Sequence, residues 1–194
     1  MMIVKVGGSL LSNAAFVEYL KLLSEQGKKS VVIVPGGGGF ADQVRSTQKI
    51  WGYDDTIAHY MAILAMQQMA LLFKGLCSDL VLIDTVESIA SVLQQQQVVV
   101  WSPRASQLDA GGVPASWDVT SDTLAAWLAV QLSAQRLLLL KSAALPMEPT
   151  LEALSALGIV DKAFVQFVQD QALAVECIQC HHLSALAACL NNDV

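Results

Sequence analysis

Positive charge is scarce in this chain of 194 residues: eleven lysines and arginines face seventeen aspartates and glutamates, for a formal net charge of −6. With no basic stretch to release counterions, the sequence excludes nucleic acid and anionic membrane surfaces as partners, so any phosphate must be bound by local groups. Linkers, low-complexity tracts and internal repeats are also missing, which predicts one domain over residues 1–194, with 54% hydrophobic residues to fill its core. No basic segment precedes the first apolar run, so a signal peptide is not expected and the protein is read as cytoplasmic. The mean hydropathy is +0.50. The most apolar stretch, Ile57 to Phe73, is nevertheless interrupted by His59, Gln67 and Gln68 and falls short of a spanning helix. It predicts a helix buried on two sides or packed on a second subunit, and hence a homo-oligomer.

Cysteine is sparse and its spacing is uninformative for metals. Cys177-Ile178-Gln179-Cys180-His181 matches the pattern of covalent haem attachment and, with His182, half of a zinc site, while Cys77 and Cys189 stand apart. Haem attachment needs export, and zinc needs further ligands at suitable spacing, so the four cysteines are read as reduced core or surface residues and no metal site is assigned. Walker A and GxGxxG sequences are absent as well, which disfavours the common nucleotide folds.

What the chain does have is two glycine-rich stretches, each at the end of an apolar β-type run: Ile3-Val4-Lys5-Val6-Gly7-Gly8-Ser9 and Val31-Val32-Ile33-Val34-Pro35-Gly36-Gly37-Gly38-Gly39. In each, backbone N–H groups at the start of a helix-capable segment can converge on an anion. Two such loops within forty residues point to two phosphoryl groups face to face, the geometry of phosphoryl transfer. Strands are predicted at 2–6, 31–34, 80–84, 97–101, 136–141 and 173–178, each a nearly continuous aliphatic run as for strands covered on both faces. Helices are predicted at 13–26, 39–50, 55–76, 86–94, 120–134, 160–170 and 183–190. This alternation predicts a three-layer α/β/α sandwich with a mainly parallel central sheet, and ligands at the carboxyl ends of the strands, where both loops fall. A third segment, Trp117-Asp118-Val119-Thr120-Ser121-Asp122, opens a helix. Asp118, Thr120 or Ser121 can cap it, and Asp122 then projects from its first turn, either as a helix-dipole carboxylate or as a partner for lysine ammonium groups.

Lys5-Val6-Gly7-Gly8-Ser9, the Pro35-Gly36-Gly37-Gly38 loop and the Thr120-Ser121-Asp122 helix start, in that order, resemble the amino acid kinase family over residues 1 to about 170. Within it, Phe40-Ala41-Asp42-Gln43-Val44-Arg45 and His59-Tyr60-Met61-Ala62 look most like the small kinases of methanofuran biosynthesis, which convert an aminomethylfuran phosphate into its diphosphate. The resemblance implies a carbamate kinase-like fold and phosphorylation of a small molecule by ATP with Mg²⁺. It implies that Lys5 supplies charge to the transferring phosphoryl group, that Gly7, Gly8 and Ser9 hold that group, that Gly36, Gly37 and Gly38 hold the acceptor, and that Asp122 organises the site. A second lysine is expected by the same pattern, and Gly158-Ile159-Val160-Asp161-Lys162 has matching spacing; Lys162 is either that lysine or a solvated first-turn residue.

An acceptor bearing a phosphate needs further cations, for which Arg45, His59 and Arg104 are the candidates, and an ammonium on it needs a carboxylate such as Asp42 or Asp55. Each is equally readable as a surface charge or, for His59, as a satisfied buried histidine. One departure from the family stands out. The acidic turn that many members carry after the fifth strand is replaced here by Lys141-Ser142-Ala143-Ala144-Leu145-Pro146, so nucleoside recognition is expected to rest on backbone groups and Lys141. Three readings stay open: a kinase of phosphate monoesters, a carboxylate or carbamate kinase of the same fold, and a non-catalytic nucleotide-binding module.

Overall fold

Five runs of mainly β-branched and leucine residues and a sixth, more polar one form six parallel strands in the computed structural model, which describes residues 1–28, 30–147, 149–180 and 183–191. The strands are β1 (Met2–Val6), β2 (Val31–Pro35), β3 (Val81–Ile83), β4 (Val99–Trp101), β5 (Arg136–Lys141) and β6 (Ala174–Gln179), in the sheet order β3-β4-β2-β1-β5-β6. The central position of β1 explains its lack of polar alternation, since side chains on both faces meet helices.

A strand's period of two divides the core into two clusters. Ile3, Val32, Val34, Leu137 and Leu139 enter one, while Val4, Val6, Val31, Ile33, Leu138 and Leu140 enter the other. Lys5 and Lys141 continue the odd-numbered rows of β1 and β5 and therefore share the face of Ile3 and Leu139. Lys5 is in register with Leu139, which puts Lys141 one pleat further along the neighbouring strand.

That face is covered by α6 (Ser121–Gln131), buried over nearly its whole length. The same layer holds α4 (Val86–Gln94), α5 (Ala105–Ala110), α7 (Leu151–Ala156) and α8 (Phe164–Val168), which supply Ile89, Leu108, Leu154 and Phe164 to that cluster. The other face is covered by α1 (Phe16–Gln26) and α9 (Leu183–Asn191), while α2 (Gly38–Trp51) and α3 (Asp55–Leu76) pack together beside the sheet. α3 has the length and composition of a membrane-crossing helix, yet its Ile63, Met66, Met69, Ala70 and Phe73 are buried in the two clusters. One face of it belongs to the core, while Ile57, Leu64 and Leu71 on another are exposed.

Element ends shift by one to three residues at several places, among them β4, which begins at Val99, and α6, which ends at Gln131, and three further differences have a physical reason. The first glycine loop runs into a 3₁₀ turn at Gly8–Ser12, so α1 starts three residues later than predicted. The predicted helix at 160–170 shrinks to α8, because Asp161 and the segment around it turn back to the start of α6. α5 and α7 were unpredicted; at six residues each they are too short for a helical period to register.

Candidate active site

Both glycine loops lie at the carboxyl edge of the sheet, where β1 and β2 are adjacent. Gly7 N–H donates to the Leu140 carbonyl at 3.2 Å and Gly36 N–H to the Val6 carbonyl at 2.8 Å, so these two amides extend the sheet ladder. The amides open to an anion are therefore those one step further on, at Gly8 and Ser9 and at Gly37, Gly38 and Gly39, where the 3₁₀ turn and α2 begin. The loops touch. A Cβ built on Gly8 would stand 2.3 Å from both Cα and N of Gly38, whose φ of +54° itself suits glycine. Gly8→Ala must push the loops apart; the expected result is a loss of at least about 10-fold in kcat/KM and a destabilisation of about 1–3 kcal/mol, the usual cost of overpacking. Kinetics and a thermal melt check it, and unchanged values for both would show that the loops need not meet.

Between and beyond the loops is a cavity of about 240 Å³. Arg45, Asp42 and His59 bring polar groups to its wall, and Ile63, Met66 and Leu124 bring apolar ones. Arg45 lies 4.3 Å over the ring of Trp117, whose Nε1 donates to Gln48 Oε1 at 2.6 Å. The guanidinium also pairs with Asp42 at 3.3 Å. His59 Nδ1 is 3.3 Å from the Ser116 carbonyl. Because that oxygen can only accept, Nδ1 carries the proton and Nε2 is left for a ligand. Burial holds His59 below its ordinary pKa against the opposing pull of that hydrogen bond.

One residue along α6 from Ser121 in the cavity wall stands Asp122, buried in the odd-row face of the sheet. Lys5 Nζ reaches Asp122 Oδ1 at 2.9 Å, and Lys141 Nζ reaches Oδ1 at 2.8 Å and Oδ2 at 2.7 Å. Burial works against ionising Asp122, but the two ammonium groups outweigh it and hold the carboxyl below its usual value. Burial likewise opposes charge on Lys5, and Asp122 more than restores it, so Lys5 titrates above the ordinary lysine value. Lys141 comes off worse. Burial and then the repulsion of Lys5 bring it down to about 8 despite Asp122.

The structure brings together Lys5, Asp122 and Lys141, and it brings Arg45 and His59 to the cavity beside both loops. Lys141 thus stands with Asp122, where the β5 register places it. Lys162 lies outside the cluster, with its side chain 82% exposed and paired to Asp118 at 3.2 Å. Arg104 is also elsewhere, paired with Asp84 beyond β3. Asp55 is at the start of α3, where it accepts from Gln48 Nε2 at 2.8 Å. Cys177 is half-buried and Cys180 buried, and burial pushes both thiols up to about 11, so they are protonated; His181 and His182 lie outside the described residues.

The residue that sequence reading missed is Asp161. Among the described residues, none of the three expected caps turns its side chain onto a backbone N–H of the first turn of α6. Asp161 does so from forty residues away, accepting from the Thr123 and Thr120 amides, both at 2.9 Å, and from the Thr120 hydroxyl. Burial and then the proximity of Asp122 raise its pKa. The Gly158 to Lys162 segment carried the signal, but its acid rather than its lysine faces the site.

The amino acid kinase family model matches residues 1–144. A [5-(aminomethyl)furan-3-yl]methyl phosphate kinase of Methanocaldococcus jannaschii is 27% identical over 140 residues, which are 72% of this chain and 64% of that protein. The chain's match therefore covers less than two thirds of that relative. Among solved structures, a uridylate kinase of Archaeoglobus fulgidus superposes with a TM-score of 0.73 at 16% identity, covering 100% of this chain and 96% of the other. A UMP kinase of Bacillus anthracis gives 0.73 at 14% identity over 99% and 92% of the two chains. An isopentenyl phosphate kinase gives 0.70 at 13% identity over 100% and 97%.

Proposed function

The chain belongs to the amino acid kinase family, and we propose from that premise that it transfers the γ-phosphoryl group of ATP to a small acceptor that itself carries a phosphate monoester, such as an aminomethylfuran phosphate. An acceptor phosphate oxygen attacks the γ-phosphorus, the bond from that phosphorus to the β–γ bridging oxygen breaks, and ADP leaves with the electron pair. The products are ADP and a diphosphate ester. The observation that carries this reading is the cavity between the two glycine loops, with Arg45 and His59 in its wall and Lys5 held by Asp122 behind it.

Each part has a physical role in that reaction. The amides of Gly8 and Ser9 receive the transferred group, and those of Gly37 and Gly38 receive the acceptor phosphate. Lys5, itself buried, neutralises charge developing between two groups that repel each other. Ser9 Oγ lies 2.7 Å from Ser142 Oγ, which ties the first loop to the turn after β5 where the family's acidic nucleoside segment would stand. Both Asp122 oxygens are engaged by lysines, so Mg²⁺ would be held chiefly by the nucleotide's phosphate oxygens, whose charge it offsets. The stripe of Ile57, Leu64 and Leu71, exposed at seven-residue spacing along α3, supports the expected homo-oligomer.

Arg45 can pair with a carboxylate as well as with a phosphate, and His59, with its proton on Nδ1, offers Nε2 only as an acceptor; the phosphate ester is preferred because the chain resembles a kinase whose acceptor is a phosphate ester. Release of ADP across phosphate monoesters, carboxylates and carbamate tests the choice. The fastest release is expected with an aminomethyl-aryl phosphate; faster release with a carboxylate or carbamate would overturn it. Arg45→Gln is expected to raise KM for the phosphate ester about 10-fold with kcat nearly unchanged, the pattern of lost ground-state binding. A kcat loss with unchanged KM would place Arg45 in the transition state instead.

A further inference from the structure

An ammonium group has three N–H donors, and the two buried lysines use theirs differently. Lys141 Nζ donates to Asp122 Oδ1 at 2.8 Å, to Asp122 Oδ2 at 2.7 Å and to the Ile159 carbonyl at 2.5 Å, which occupies all three. For Lys5, the ion pair among the described residues is the single contact to Asp122 Oδ1 at 2.9 Å. A phosphoryl group entering the site therefore finds donors on Lys5 and none on Lys141. We propose that Lys141 is a positioning residue for phosphoryl transfer: gripping both oxygens of Asp122, it fixes the carboxylate that aims the Lys5 ammonium, and it touches neither substrate.

Three pieces of chain meet at this grip. β5 brings Lys141, α6 brings Asp122, and the segment between α7 and α8 brings the Ile159 carbonyl together with Asp161, which caps α6. A lysine so placed ties the β5 end to the α6 start, and so ties the turn after β5 to the phosphoryl site. The charged or titratable groups facing it are Lys5 from β1, Asp122 from α6, Asp161 from the 158–162 segment, and from β6 the Cys177 thiol, which is neutral with its pKa at about 11. In that company Lys141 titrates at about 8, while Lys5 stays above its ordinary value. As pH rises, Lys141 is thus the first of the two to lose its proton. It then has two N–H donors and no charge, and the grip on the carboxylate loosens while Lys5 is still an ammonium.

This inference rests on the kinase reading, and the test separates the two. The pH dependence of kcat/KM, which reports groups of the free enzyme, is measured from about pH 6 to 10 for the wild type, Lys141→Arg and Lys141→Met. The wild type is expected to lose activity above about pH 8. Lys141→Arg is expected to keep its activity there, because a guanidinium holds both carboxylate oxygens and does not deprotonate. Lys141→Met is expected to lose about 10-fold or more in kcat at neutral pH with little change in either KM, as when orientation is lost and binding is not. A wild-type kcat in folded Lys141→Met, or an unchanged alkaline limb in Lys141→Arg, overturns the proposal. Should the methionine variant fail to fold, the arginine profile and an NMR titration of the lysine side chains in the wild-type chain decide it. One midpoint near 8 that moves in Asp122→Asn is expected, and no lysine below its ordinary value overturns the proposal. Absence of transfer to every acceptor by the wild type overturns the kinase reading and, with it, the catalytic meaning of Lys141; transfer with an indifferent Lys141 overturns the inference alone.

Discussion

Lys5→Ala is expected to lower kcat by about 10²-fold or more while the protein stays folded, since one preorganised donor at a charge-developing site is worth about 3 kcal/mol. The site contains the reason for the separation of the two effects. Lys5 is buried beside Asp122, and removing it leaves that carboxylate still held through both oxygens by Lys141. No buried charge is left without a partner, which is the circumstance that makes most broken ion pairs costly. Steady-state kinetics alongside circular dichroism of the variant checks this. A folded Lys5→Ala protein with near-wild-type turnover would remove Lys5 from the reaction.

Asp122→Asn is expected to have an effect of similar size on kcat for a different reason. Asparagine keeps the shape but cannot neutralise two ammonium groups, so Lys141, already down to about 8, loses its proton and Lys5 loses its anchor. Activity should fall far more than the melting temperature at neutral pH. The variant should also change the acid limb of stability. The folded pKa of Asp122 lies below its unfolded value of 3.8, so its contribution is present above that value and disappears as pH falls through the folded pKa. The wild type should therefore lose more melting temperature below about pH 4 than Asp122→Asn does. Melts across that range, with kinetics at neutral pH, decide it; a large loss of stability with little loss of kcat would make Asp122 a helix-start carboxylate only.

Much of this arrangement was legible in the chain because it is local. A glycine directly after an aliphatic run marks a loop at a strand end wherever the sheet lies, and Thr120-Ser121-Asp122 marks a helix start by its own hydrogen-bonding options. The unpredicted parts depend on register and on distance in sequence. Lys141 meets Asp122 because β5 pairs with β1 in the register that sets Lys5 beside Leu139, and no spacing within 136–146 encodes that. Asp161 caps a helix that begins forty residues earlier, so local capping rules looked to Asp118, Thr120 and Ser121 instead. The Gly-x-x-x-Lys pattern drew attention to Lys162, whose side chain faces solvent, while its neighbour Asp161 turns to the start of α6. Short helices such as α5 and α7 fail for want of length, the amphipathic period needing more than six residues to repeat.

Passage of a phosphoryl group between the two glycine loops onto a second phosphate is visible in ³¹P NMR of the reaction with Mg²⁺-ATP and an aminomethyl-aryl phosphate. The single acceptor resonance is expected to be replaced by the two mutually coupled resonances of a diphosphate ester, in step with ADP. An unchanged acceptor resonance, with inorganic phosphate accumulating or with no ADP formed at all, would contradict it.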